Sequence, residues 1–300
     1  MTHSSDQHHQ VSGKNLLLTI LLNIIITLAQ VIGGLLSGSI SLLSDALHNF
    51  SDVMALVIAW WANKIATKDK NSQKTYGYKR AQIVAALFNG AVLTSIGLFL
   101  IIEAVNRFIN TQSIASDIVI GLAALSIVLN AMSVLLIKSH SHHNLNIKAA
   151  YLHLMSDVMT SIAVLVGGLM MKFYQWYWLD PVITIFIAIY LILTSFNLIQ
   201  EAIAILMQSS PKSVDIHDIE SLADHYPELK NIHHIHLWQL DDCNLILDAH
   251  LDFNEDLSIS ESAKFKQKLE KELLQKFSIS HVTLQAEYNV NDDKDVICTH

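Results

Sequence analysis

The sequence predicts a membrane α-helical protein: six transmembrane helices arranged as a 3+3 inverted repeat, then a small C-terminal α+β domain. Three observations carry this expectation. The 300 residues are 52% hydrophobic and only 15% charged, more apolar than an ordinary soluble domain. The charge is divided unevenly, with 11 Lys+Arg against 9 Asp+Glu in residues 1–210 and 8 against 18 in residues 211–300. An octapeptide, Leu47-His48-Asn49-Phe50-Ser51-Asp52-Val53-Met54, recurs as Leu152-His153-Leu154-Met155-Ser156-Asp157-Val158-Met159 with six of eight positions identical.

Apolar stretches near 15–36, 40–63, 82–106, 115–137, 148–172 and 180–207 each reach the roughly 20 residues that cross a bilayer. Gly38 marks the first turn, and Asp180-Pro181 opens the sixth span, where proline is tolerated. The second loop holds Lys64, Lys68, Lys70, Lys74, Lys79 and Arg80, whereas the first loop has no Lys or Arg. Positive residues stay inside. Both termini and the acidic domain are therefore expected in the cytoplasm, with the chain multi-pass in the inner (cytoplasmic) membrane. The domains read as a His-containing tail (1–13), a transport domain (14–208) and a soluble domain (209–300). The tail lacks the pattern of a signal peptide. Only Cys243 and Cys298 occur, which gives no disulfide framework. No basic stripe suggests a nucleic-acid partner.

Polar residues within the spans recur at intervals of four or seven: Asn23 and Gln30, Gln82 and Asn89, Ser126, Asn130 and Ser133. Such sets share a helix face and predict interhelical hydrogen bonds. The sixth span has fewest and is expected at the periphery. Gly33-Gly34 and Gly167-Gly168 mark close packing or bending.

From Ser210 the pattern changes. A short amphipathic helix is predicted over 214–226, strands over 231–240 and 245–253, a helix from the Ser258/Glu261 capping box to Phe277, and a strand over 281–288. The α-β-β-α-β order suggests a ferredoxin-like sandwich, whose sheet could pair or pack with a second copy.

The repeated phrase carries the chemistry. Residues four apart share a helix face, so each copy presents one imidazole and one carboxylate together. The two copies lie on spans separated by an odd number of crossings, which run in opposite directions. An inverted repeat brings such motifs together near mid-depth. His48, Asp52, His153 and Asp157 would then supply two nitrogens and two oxygens, a donor set that suits tetrahedral zinc. Two carboxylates and two neutral imidazoles nearly neutralise a divalent ion. When the ion leaves, the crowded groups take up protons, so metal and protons compete for the same atoms. That competition is the physical basis of exchange. The plainer reading is a pair of intramembrane ion pairs that fix helix packing. Asp45, one turn before His48, has two readings: an outer carboxylate or proton station beside an imidazole, or a solvated group at a helix end.

These residues resemble the cation diffusion facilitators, specifically their zinc-transporting branch. The resemblance spans essentially the whole chain. It rests on Ser44-Asp45-Ala46-Leu47-His48-Asn49-Phe50-Ser51-Asp52, Tyr76-Gly77-Tyr78-Lys79-Arg80, the run from Asn146 to Asp157, and His233-His234-Ile235-His236-Leu237-Trp238. It implies a homodimer that exchanges metal for protons by alternating access, with Zn²⁺ as substrate and as a structural or regulatory ion. It places the quartet at the family's transport site, with His48 in the position linked to preference for zinc over cadmium. It also places His233, His250 and Glu287, with His281 joining them, where the family binds cytoplasmic zinc.

Some relatives carry a further His in the second helix of that domain. This chain has Ala263-Lys264 there, which removes a ligand from their bridged two-metal site. Some bind metal in the second loop, which here lacks His, so no loop site is expected. His234 and His236 read equally as solvent-facing. Cys298 and His300, with His8 and His9, read either as a metal site at the dimer interface or as polar tails. His140, His142 and His143 read as a zinc-capturing loop or a solvated turn. Two rival classes remain: an intramembrane zinc hydrolase, against which no His-Glu-x-x-His motif occurs, and a membrane-tethered metal sensor.

Overall fold

The fold was read from a computed structural model. It describes residues 13–138, 145–291 and 293–297, with the backbone alone at 13–20, 136–138 and 145–152. His8, His9, the His140, His142 and His143 loop, Cys298 and His300 lie outside the described residues.

Six long helices come first: α1 (Gly13–Ser37), α2 (Ile40–Ala66), α3 (Ala81–Ile109), α4 (Ser116–Lys138), α5 (Leu145–Tyr174) and α6 (Leu179–Leu206). Among the described residues, five of them, α2 to α6, include stretches long and apolar enough to cross a membrane. Their outward faces carry Leu56, Phe88, Phe99, Ile102, Phe186 and Leu193, all exposed. Only a lipid solvent makes such surfaces cheap. Trp60 and Trp61 on α2, with Trp176 and Trp178 between α5 and α6, are exposed aromatics of the interfacial type.

Two compact units form, and each is described on its own. The first gathers the described residues up to Trp60 with Phe88–Ile199. Leu42, Leu100, Val119, Val164, Met171 and Leu191 make its apolar core. Small residues let its helices approach closely. A Cβ on Gly33 of α1 would fall 1.8 Å from Leu122 of α4, and one on Gly167 of α5 would fall 2.3 Å from Ile183 of α6. The polar faces join helices as expected. Asn49 of α2 donates to Gln30 of α1 at 3.0 Å, and Ser126 of α4 lies 2.8 Å from Ser161 of α5.

α6 is, with α3, one of the two least buried spans (28% and 22%), in keeping with its expected place at the margin. Its first turn also clasps α2. Asp180 accepts from the hydroxyls of Ser39 (2.5 Å) and Ser41 (2.5 Å) and from the amides of Ile40 (2.7 Å) and Ser41 (3.3 Å). A carboxylate on the otherwise unpaired amides of a helix start is stabilising, and here it comes from another helix.

The second unit gathers Trp61–Leu87 and the described residues from Gln200 onward. Its elements are α7 (Ile216–Glu220), a 3₁₀ turn (Ser221–His225), β1 (Leu229–Gln239), β2 (Leu245–Phe253), α8 (Ile259–Phe277) and β3 (Ile279–Glu287). The expected helix over 214–226 is split. Asp215 caps α7 through the amide of His217, and the chain then tightens into the 3₁₀ turn. β2 is the central strand, antiparallel to β1 and parallel to β3. Leu247, Leu251, Leu269 and Leu273 are 0–1% exposed and form the core with Ile219 and Leu222. Ser258 and Glu261 form the capping box at the start of α8.

The β1–β2 turn is fixed by Asp241, which accepts from the amides of Cys243 (3.0 Å) and Asn244 (2.8 Å) and from the Asn244 side chain. In the same unit, Lys79 lies 3.7 Å from Asp241, and the rings of Tyr76 and Trp238 meet at 5.9 Å.

Candidate metal centre

His48 and His153 are each the ninth residue of their helix, α2 and α5 respectively. Asp52 and Asp157 follow one turn later. Helical spacing therefore delivers two imidazole–carboxylate pairs, and the first unit brings both pairs together. One donor atom from each of the four lies within 4.8 Å of every other. His48 Nδ1 stands 3.7 Å from Asp52 Oδ2, and His48 Nε2 stands 3.4 Å from Asp157 Oδ1. His153 Nε2 stands 3.1 Å from Asp52 Oδ2 and 3.9 Å from Asp157 Oδ2. The edges of a tetrahedron with bonds of about 2.0–2.1 Å are about 3.3 Å long. The four separations bracket that value, so a single ion could be shared with small side-chain adjustments.

The orientation of the donors supports this fit. Both ring nitrogens of His48 and both oxygens of Asp157 are buried without a hydrogen-bond partner. Buried polar atoms are nearly always satisfied. Here they lie among the other donors instead, with His48 Nδ1 towards Asp52 and Nε2 towards Asp157, while His153 Nε2 is hydrogen-bonded to Asp52 Oδ2. Access is lopsided: the side chains of His48 and Asp157 are 7% and 1% exposed, those of Asp52 and His153 21% and 42%. His153 is the most exposed of the four.

Two further residues complete the surroundings. Asp45 is buried and takes hydrogen bonds from Gln30 (2.5 Å), Thr160 (3.2 Å) and Ser161 (3.3 Å). Its reading as a solvated helix end therefore falls. Its partners sit on α1 and α5 and none is an imidazole, so it braces the helices on which the ligands stand. The ring of Tyr190, on α6, packs edge-on against His48 at 6.4 Å, and its hydroxyl lies 3.2 Å from Ser156. Sequence reasoning passed over Tyr190, and a lone tyrosine in an apolar span gave little signal.

A second cluster forms in the sheet. His233 on β1 pairs in register with His250 on β2, and Asp252 pairs with Glu287 on β3. His233, His250 and Glu287 each place a donor atom within 4.8 Å of the others. His233 Nε2 lies 3.4 Å from Glu287 Oε2. His250 Nδ1 lies 2.7 Å from Glu287 Oε1, yet it makes no aligned hydrogen bond. Two imidazoles and a carboxylate fit a divalent ion of the zinc type with an open fourth position.

His281 does not join this cluster. It pairs with Ile246, six residues before Glu287 along an extended strand, or about 20 Å away. Its ring instead stands 6.1 Å from that of Tyr76. Nor are His234 and His236 isolated polar groups: the ring of His234 stacks on that of His250 at 4.5 Å. Lys294, which the sequence reading also missed, reaches into the cluster. It is a single cation in an acidic run, and nothing in the sequence marks its position.

Comparison with known proteins accounts for both regions. Residues 16–207 match the family model of the cation efflux transmembrane domain, and residues 211–289 match that of the cation efflux protein cytoplasmic domain. The chain is 35% identical over 297 residues to a cadmium, cobalt and zinc/H(+)-K(+) antiporter of Bacillus subtilis, covering 97% of this chain and 95% of the relative. It is 30% identical to the metal cation efflux system protein CzcD of Cupriavidus metallidurans, covering 95% of this chain and 89% of that one. It is 29% identical to the zinc transporter ZitB of Pectobacterium atrosepticum, with 98% and 91% covered. With six apolar helices, a paired His/Asp motif on two of them and a small α+β domain later in the sequence, the chain belongs to the cation diffusion facilitator family, in the branch of these zinc-named relatives.

Proposed function

We propose that the protein exports Zn²⁺ from the cytoplasm in exchange for protons, with His48, Asp52, His153 and Asp157 as the transport site. The observation that carries this reading is the mutual approach of four donor atoms from two helices, inside a helical unit that faces lipid. Two imidazoles and two carboxylates offset the charge of the ion as it sheds water. Lone pairs that held zinc take up protons when zinc leaves, so the two cargoes exclude one another at the same atoms. The exposure of His153, with Asp157 buried, fits one state of an alternating-access cycle. Similarity to relatives named as zinc transporters and as a zinc/H(+)-K(+) antiporter supports the choice of cargo and counter-ion.

In this reading residues 14–208 form the transport domain and residues 209–300 a cytoplasmic domain through which two copies pair. Both termini face the cytoplasm of a multi-pass inner-membrane protein. His233, His250 and Glu287 hold a resident zinc ion in the cytoplasmic domain, where it draws the three strands together.

The deciding experiment is zinc-driven proton flux in proteoliposomes with clamped pH. Asp157→Asn should reduce the flux to the background of empty vesicles while the variant still elutes as a folded, monodisperse protein. Flux at the wild-type rate in that variant would sink the site.

A further inference from the structure

The chain's last described residues are fastened to the sheet. The amide of His234 donates to the carbonyl of Asp295 at 3.2 Å, and that of Ile235 donates to Val296 at 2.8 Å. Val296 packs on the apolar core. β1 is an edge strand, and its register slips between His233 and His236, with His234 at φ +50°. The slip turns these amides outward to the tail. The tail is thus held one and two residues beyond Lys294, which fixes where that side chain can go.

It goes into the metal cluster. Lys294 Nζ donates to Glu287 Oε2 at 3.0 Å, lies 3.4 Å from His233 Nε2 and stands 3.6 Å from Asp252 Oδ2. Lys230 reaches the same Asp252 oxygen at 3.6 Å from the other side. Glu287 is also contacted by Gln285 (2.9 Å) and by His250, and His233 Nδ1 meets Asn231 at 2.8 Å. The two atoms that Lys294 engages most closely, Glu287 Oε2 and His233 Nε2, are two of the proposed ligand atoms. An ammonium hydrogen-bonded to a lone pair occupies the direction that a metal bond needs.

We propose that Lys294 is a built-in competitor for the cytoplasmic metal site, so that zinc binding at His233, His250 and Glu287 requires the tail to let go. This rests on the reading of those three residues as metal ligands. Zinc and the lysine are both cations that want one cradle, and their mutual repulsion at this distance in a half-buried setting is strong. Lys294 therefore leaves for solvent still protonated as zinc enters. The coupling is reciprocal: the docked tail weakens metal binding by the same factor by which metal loosens the tail. The domain then reports cytoplasmic zinc by the state of its last residues.

The test uses the full chain in detergent with Asp52→Asn and Asp157→Asn, so that the membrane quartet does not contribute. Zinc affinity is measured by competition with a chromophoric chelator. Lys294→Met should bind zinc at least about tenfold more tightly than this parent, because one competing cation is gone, whereas Lys294→Arg should stay near the parent. In the parent, zinc should speed hydrogen exchange at the amides of His234 and Ile235 several-fold. Equal affinity in parent and Lys294→Met, with binding still weakened by Glu287→Gln, overturns the proposal and leaves the ligand trio standing. Binding that Glu287→Gln does not alter in any variant removes the trio, and the competitor falls with it.

Discussion

The two candidate metal clusters use similar donors and are built differently. In the membrane unit, two helices each contribute an imidazole and a carboxylate at four-residue spacing. The four pair with one another, His48 with Asp52 and Asp157 and His153 with the same two carboxylates. In the sheet, three strands contribute one donor each, and a lysine already sits on two of them. A site on helices that can tilt, balanced in charge and exposed at His153, is suited to release. A site across a hydrogen-bonded sheet keeps its geometry, and what can change there is the occupant. The contrast teaches that donor chemistry alone does not separate a transport site from a holding site; the mobility of the supporting element and the nearby countercharge do.

The comparison is broken most sharply by Asp157→Asn, which should lower zinc flux by two orders of magnitude or more and leave zinc affinity at the sheet unchanged within about twofold. Parallel flux and chelator-competition measurements on one preparation check both halves. Its mirror image is Glu287→Gln, which should weaken zinc binding in the sheet by about 10–100-fold, the range of a lost supporting contact or more, while flux falls by less than about tenfold. If the two substitutions moved both readouts equally, the sites would not be separable.

His48→Asp sharpens the comparison within the membrane unit. It exchanges a nitrogen for an oxygen at a buried position and should raise the cadmium-to-zinc transport ratio by about tenfold, read from metal-by-metal uptake into vesicles. An unchanged ratio would show that His48 is not the discriminator.

The smallest effect belongs to the β1–β2 turn. Burial alone would raise the Asp241 carboxyl, but hydrogen bonds from the Asn244 side chain and the Cys243 and Asn244 amides, with the nearby Lys79 charge, hold it below its ordinary 3.8. Its lowered value means that the folded state favours the ionised form. The stability this adds is therefore present above about pH 4 and lost as pH falls below 3.8. Asp241→Asn should lower the thermal midpoint by about 2–4 °C at pH 7, with the difference shrinking progressively as pH falls below 3.8. A difference with no pH dependence at all would assign the effect to packing rather than charge.

Much of this was legible in advance, for identifiable reasons. Long apolar runs fix helix positions to within a few residues, as α2 at Ile40–Ala66 against an expected 40–63 illustrates. The duplicated octapeptide exposed the quartet because helical spacing turns sequence separation of four directly into proximity. Strands offer no such shortcut. Which residue of β3 faces His250 depends on register, and register put Gln285 there and sent His281 to the far end of the strand. Lys294 and Tyr190 were invisible for a related reason: each reaches its cluster through tertiary placement, from a part of the chain with no repeated or metal-binding pattern.

The clasp of Asp180 on the start of α2 has a consequence for how such a machine can move. Five buried donor and acceptor groups would lose their partners if α6 and α2 parted at that end. The clasp therefore favours the two helices moving together, and α2 carries His48 and Asp52 with it. Whatever opens the opposite face then swings the pair as a whole or breaks that clasp.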